Sequence, residues 1–94
     1  MSKVHNIKGT SDRNPHKYKS WIEFWEKQKG ETATQCANTT CKNSAKVGGH
    51  VQKHGNETED TWFITPLCYA CNSYTNDEPF TVIDSNLVPV SQAD

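Results

Sequence analysis

A chain of 94 residues and 10.6 kDa, only 33% of them hydrophobic, is long enough for one small domain, residues 1–94. Such a domain buries too little apolar surface to be robust without added support. The formal net charge of −1 excludes a surface that grips polyanions everywhere. No apolar run approaches the roughly 18 residues that a membrane span needs, and Met1-Ser2-Lys3-Val4-His5 lacks the apolar segment of a secretory leader. The expected compartment is the cytoplasm, where thiols stay reduced.

In chain order, Val4 and Ile7 suggest a short edge strand, and Gly9 to Pro15 reads as a polar loop rich in turn residues. Ser20-Trp21-Ile22-Glu23 fits a capping box, which predicts a helix running to about Lys29 and ended by Gly30. Trp21, Ile22, Phe24 and Trp25, extended by Tyr18, give that helix a broad apolar stripe. The stripe is expected to pack over the module that follows.

Cys36 and Cys41 close a turn containing Asn38, Thr39 and Thr40. Val47-Gly48-Gly49-His50-Val51 and Thr61-Trp62-Phe63-Ile64-Thr65 read as two strands of a hairpin, with a polar tip at Lys53 to Asp60 and Pro66 as its end. Cys68 and Cys71 are expected at the entry of a second helix reaching Tyr74 or beyond, stopped by Asp77-Glu78-Pro79. Phe80 to Ile83 and Leu87 to Val90, around Asp84-Ser85-Asn86, suggest a hairpin or two short strands. There is no internal repeat and no low-complexity tract.

The four cysteines form a C-x4-C pair and a C-x2-C pair. Two short-spaced pairs can each supply two neighbouring corners of a tetrahedron from one tight turn, and thiolates are the soft ligands that zinc prefers. Cys36, Cys41, Cys68 and Cys71 are therefore read as ligands of one structural zinc ion, with disulfides or unrelated buried thiols as the alternatives. A metal of this kind contributes on the order of ten kcal/mol to the folding of a small domain.

A knuckle, a hairpin and then a C-x2-C turn opening a helix is the order of the treble-clef zinc fold. Gly49-His50-Val51 and Leu67-Cys68-Tyr69-Ala70-Cys71-Asn72 resemble the HNH endonucleases, in particular the phage endonuclease VII type, over about forty residues. The resemblance implies an α+β fold: a small ββα-metal core at 36–76, an added N-terminal strand and helix at 1–35, and short C-terminal strands at 77–94. It also implies that His50 matches the general base that activates water, and that Asn72 matches a ligand of a second, catalytic ion, Mg2+ or Mn2+. A neutral imidazole near pKa 6.5 suits that role, and a hard cation suits phosphate oxygens.

Two positions depart from the family pattern. Gly49 stands where an aspartate ligand is usual, and Phe63 stands near the place of the middle asparagine. Glu57, Glu59 or Asp60, at the hairpin tip, are the carboxylates that would have to complete a second metal site. His54 lies four residues after His50, the spacing of a helical zinc pair, but the glycines around them favour strand, where the two would be roughly 13 Å apart. His5 and His16 have no motif around them and are expected at the surface. Tyr69, between two metal-facing cysteines, is expected to be an exposed contact residue.

Charge is unevenly spread. Residues 1 to 29 carry seven basic side chains against Asp12, Glu23 and Glu26, whereas Glu57 to Asp94 holds seven carboxylates and no lysine or arginine. The first stretch suits DNA or RNA and the second a basic protein partner. Three functions follow as expectations: a non-catalytic HNH-like zinc module that binds nucleic acid or protein, a metal-dependent endonuclease using His50, and a small phage-type inhibitor or regulator of a host protein.

Overall fold

A computed structural model of the chain describes residues 1–7, 17–55, 61–73 and 78–93. Among these residues five strands form one antiparallel sheet in the order β4-β1-β2-β3-β5, with one α-helix against it, so the protein is a small α+β fold. The strands are β1 (Ser2–Asn6), β2 (Val47–Lys53), β3 (Phe63–Leu67), β4 (Phe80–Val82) and β5 (Val88–Pro89), and the helix is α1 (Trp21–Lys29). Among the described residues no helix is long and apolar enough to cross a membrane.

The helix follows from its local chemistry. Ser20 caps it by accepting a hydrogen bond from the Glu23 amide at 3.2 Å, which satisfies one of the free N–H groups of the first turn. The Glu23 carboxylate returns the bond one residue earlier than a standard capping box, to the Lys19 amide at 2.6 Å. Gly30 ends the helix at φ 69°, a left-handed conformation that costs glycine little. Trp25 ties α1 to the C-terminal segment, its indole N–H donating to the Asn86 carbonyl at 2.9 Å.

The sheet separates two cores. Val4, Val51, Leu67, Phe80 and Val82 pack with Cys36 and Cys68 on one face. Phe24 and Trp25 of α1 pack with Ile64 and Val88 on the other. Strand alternation explains the division, since neighbouring residues of β2 and β3 point to opposite faces. The helix thus packs on the β2–β3 hairpin of the module, as its stripe suggested, but on the face across the sheet from the cysteines, where it builds a second core.

Several expectations need correction. β1 is an interior strand, paired with β2 on one side and β4 on the other, because the C-terminal segment returns to cover its free edge. Pro66 lies within β3, opposite Gly48; its carbonyl accepts from the Ala37 amide at 2.7 Å, so its missing N–H is tolerated beside a non-standard neighbour. Of the two alternatives for the C-terminal segment, two short strands are seen and not a hairpin. A 3-10 turn at Asp84–Asn86 separates them, and β4 and β5 occupy opposite edges of the sheet. Residues 68–73 form turns with no helix. The continuation towards Tyr74 and the stop at Asp77 lie outside the described residues, as do the loop from Gly9 to Pro15 and His16.

Candidate metal centre

The C-x4-C turn is assembled by backbone bonds that leave both sulfurs facing inward. The Cys36 amide donates to the Asn43 carbonyl at 3.0 Å and the Cys41 amide to the Asn38 carbonyl at 2.9 Å. The Asn38 side-chain oxygen accepts from the Thr40 amide at 3.1 Å and from its hydroxyl at 2.9 Å. This turn is then fixed to the sheet. Besides the bond from Ala37, the Lys46 amide donates to the Leu67 carbonyl at 2.8 Å and the Thr39 amide to the Thr81 carbonyl at 2.9 Å.

The C-x2-C turn emerges directly from β3. Its Asn72 amide donates to the Cys68 carbonyl at 3.1 Å, its Ser73 amide to the Ala70 carbonyl at 3.3 Å, and the Cys71 amide to the Cys68 sulfur at 3.4 Å. The two turns bring all four cysteine sulfurs within 4.8 Å of one another. The Cys41 and Cys68 sulfurs, one from each pair, are 3.8 Å apart.

Those spacings test the donor set. A disulfide needs about 2 Å between sulfurs, and all four cysteines are free thiols. Zinc–sulfur bonds of about 2.3 Å at tetrahedral angles put neighbouring sulfurs about 3.8 Å apart. The four cysteines are positioned to hold a metal ion, and they are the only such group of three or more His, Cys, Asp or Glu side chains among the described residues.

Electrostatics agree with a site that awaits positive charge. Burial pushes the Cys36 thiol up, and burial with the neighbouring Cys68 and Cys36 sulfurs pushes Cys71 up to about 12. Burial also raises Cys68, but donation from the Cys71 amide and the Asn43 carboxamide outweighs it and brings that thiol down to about 6. One sulfur is thus prepared as a thiolate, and a cation would draw the protons from the others.

Three asparagines complete the surroundings. Asn38 donates to the Cys71 sulfur at 3.5 Å, Asn43 to the Cys68 sulfur at 3.7 Å, and Asn6, from β1, to the Cys71 carbonyl at 2.7 Å. Donors of this kind stabilise thiolate charge and orient the ligands. Sequence reading names Asn38 only as a turn residue and misses Asn6 and Asn43. The signal available was amide side chains inside and just after the knuckle; for Asn6, sixty-five residues from its partner, there was none.

His50 and Asn72 do not meet on one face. His50 is 6% exposed, and its ring lies edge-on to Trp21 at 4.7 Å between centroids, beneath α1. Asn72 lies against the opposite face: a Cβ built on Gly49 would stand 2.7 Å from its side-chain oxygen and 2.5 Å from Leu67 Cδ1. Its carboxamide occupies the space that any side chain at position 49 would need. His54 follows β2 in a turn, as the glycines required, and its ring meets that of half-buried His5 at 5.7 Å. Tyr69 is 69% exposed. Glu57, Glu59 and Asp60 lie outside the described residues.

Compared with protein-family models, with curated proteins and with solved structures, the chain matches none.

Proposed function

We propose that the protein is a non-catalytic binding module of HNH-like, treble-clef type, organised by one structural zinc ion on Cys36, Cys41, Cys68 and Cys71. The observation that carries this reading is the convergence of four thiols within 4.8 Å. Four protein thiolates close the coordination sphere of zinc and leave no position for water or substrate, which is the arrangement of structural rather than catalytic sites. Bound there, the ion supplies a rigid joint between the two cysteine turns, and Asn38 and Asn43 hold its sulfur ligands in place.

The treble-clef relation is supported by the order of knuckle, hairpin and C-x2-C turn, and by the approach of Asn72 to position 49 of β2. The absence of catalysis is supported by the same contact. Gly49 offers no carboxylate, the Asn72 carboxamide fills the space in front of it, and the imidazole of His50 leaves β2 by the other face, against Trp21. Histidine and asparagine cannot act on one phosphate from opposite sides of a sheet.

Elemental analysis of the purified protein should find one zinc per chain. Incubation with supercoiled plasmid, single-stranded DNA and structured RNA in magnesium or manganese should leave all three intact. Cleavage that disappears in His50→Ala would overturn the non-catalytic reading, and a protein that folds without metal would overturn the zinc-organised one.

A further inference from the structure

We infer that the end of the molecule formed by the two cysteine turns is a contact surface for single-stranded nucleic acid, with the Tyr69 ring stacking on an unpaired base and Lys42 and Lys46 meeting backbone phosphates. This rests on the zinc-organised reading above and names its partner. Among the described residues Tyr69 is the most exposed large hydrophobic side chain after Met1, at 69%, yet it stands in one of the most constrained turns. Both flanking ligands, Cys68 and Cys71, are committed to the metal centre, and three hydrogen bonds fix the turn's backbone. An aromatic ring displayed on a rigid support loses little conformational entropy on binding, as contact residues that dominate interfaces do.

The surrounding charge selects the partner. Residues 32–55 and 61–73, which build both cysteine turns and the described hairpin strands, contain Lys42, Lys46 and Lys53 and no carboxylate; the nearest acids in sequence are Glu31, the hairpin-tip residues Glu57, Glu59 and Asp60, and Asp77 and Glu78. Lys46 and Lys42 are exposed. The amide of Lys46 is bonded to the Leu67 carbonyl, two residues before Tyr69, and Lys42 follows Cys41, whose sulfur is 3.8 Å from that of Cys68. Two cations and an aromatic ring therefore share one end of the fold, among exposed Thr39, Thr40 and Asn43.

An exposed aromatic beside cations, with no carboxylate in either cysteine turn, is what stacking on bases and tracking of phosphates require. The strand must be single, because a duplex hides the faces of its bases within its own stack. The net charge of −1 also gives no general attraction to duplex.

The test uses the full zinc-loaded chain and fluorescence anisotropy of short labelled single strands of mixed sequence, in DNA and RNA arms, beside the matching duplex. Binding to at least one single strand should be stronger than to duplex. Tyr69→Ala should weaken it about tenfold, whereas Tyr69→Phe should stay within about twofold because it keeps the stacking face. Replacing Lys42 and Lys46 by glutamine should lower the slope of log affinity against log salt by about one.

Zinc content and tryptophan fluorescence are read for every variant, so failure of the metal reading shows as lost zinc and is distinct from failure here. A zinc-loaded protein that ignores single strands, binds duplex equally well, or is unaffected by Tyr69→Ala would overturn the inference. Tyr69-dependent capture of a protein without strand binding would overturn it too.

Discussion

The two glycines of β2 face different layers, and each is needed for a different reason. A Cβ on Gly48 would stand 2.6 Å from the backbone nitrogen of Ile22 and from the backbone carbonyl carbon of Trp21. Backbone atoms at the start of α1 cannot turn aside, so Gly48→Ala must push the helix off the sheet. At Gly49 the obstructing atoms belong to the side chains of Leu67 and Asn72, which can rotate. Overpacking costs about 1–3 kcal/mol; Gly48→Ala should fall at the upper end and Gly49→Ala at the lower, as read from denaturant midpoints of the zinc-loaded protein. Adding Asn72→Ala to Gly49→Ala should cost less than the sum of the single changes, because the new methyl enters space the carboxamide vacates. Equal costs at the two glycines would mean that α1 is not seated as closely as described. The sequence marks Gly48-Gly49 as part of a strand, but which layer presses on each glycine depends on partners far along the chain.

Elements whose signals are local are those the sequence makes legible. Ser20, Glu23 and Gly30 delimit α1 through bonds spanning four residues or fewer, and the cysteine pairs announce their turns by spacing alone. Long-range arrangement is not legible in this way. Nothing in Val4 or Ile7 shows that β1 will be covered by β4, and nothing in Phe80 to Val90 shows that its two strands part to opposite edges. That arrangement is held partly by a bond linking the ends of the sequence, in which the Ser2 hydroxyl donates to Asp84 at the start of the 3-10 turn. This bond, foremost, holds the Asp84 carboxyl below its ordinary value of 3.8, with the Met1 ammonium at 3.7 Å and then Lys53 adding smaller attractions. A carboxylate depressed on folding stabilises the fold above its ordinary pKa, and the contribution disappears as pH falls through the folded value. Asp84→Asn should therefore lower the denaturant midpoint slightly near neutrality, and its difference from the zinc-loaded wild type should shrink as pH falls towards about 4, over the range in which both proteins still hold zinc. Zinc content read at each pH sets the lower end of that range. A difference that persists unchanged into acid would mean that Asp84 acts through packing and not through its charge.

At the scale of the molecule the question is whether two cores behave as one. The cysteine cluster and its apolar neighbours occupy one face of the sheet, while α1 with Phe24 and Trp25 occupies the other. Yet β2 and β3 serve both: Val51 and Leu67 point to the cysteines, Ile64 and His50 to the helix. The cysteine-side face therefore cannot be lost without releasing the strands on which the helix rests. A domain of this size has about 5–15 kcal/mol of net stability, and a four-thiolate zinc site of the kind proposed contributes on the order of ten, so on that proposal the metal would decide whether the chain is folded. Chelation should abolish the far-UV signal of the sheet and helix and the environment of Trp21 and Trp25 in a single transition, although both tryptophans lie across the sheet from the sulfurs. Serine at any one of Cys36, Cys41, Cys68 or Cys71 should have the same effect at limiting zinc, and excess zinc should restore wild type after chelation. Acid should do the same as a chelator, since the ligands bind only when deprotonated and protons compete with the ion. If the tryptophan signal survives metal removal while the strand signal is lost, the helix-side core stands alone and zinc organises only half of the fold.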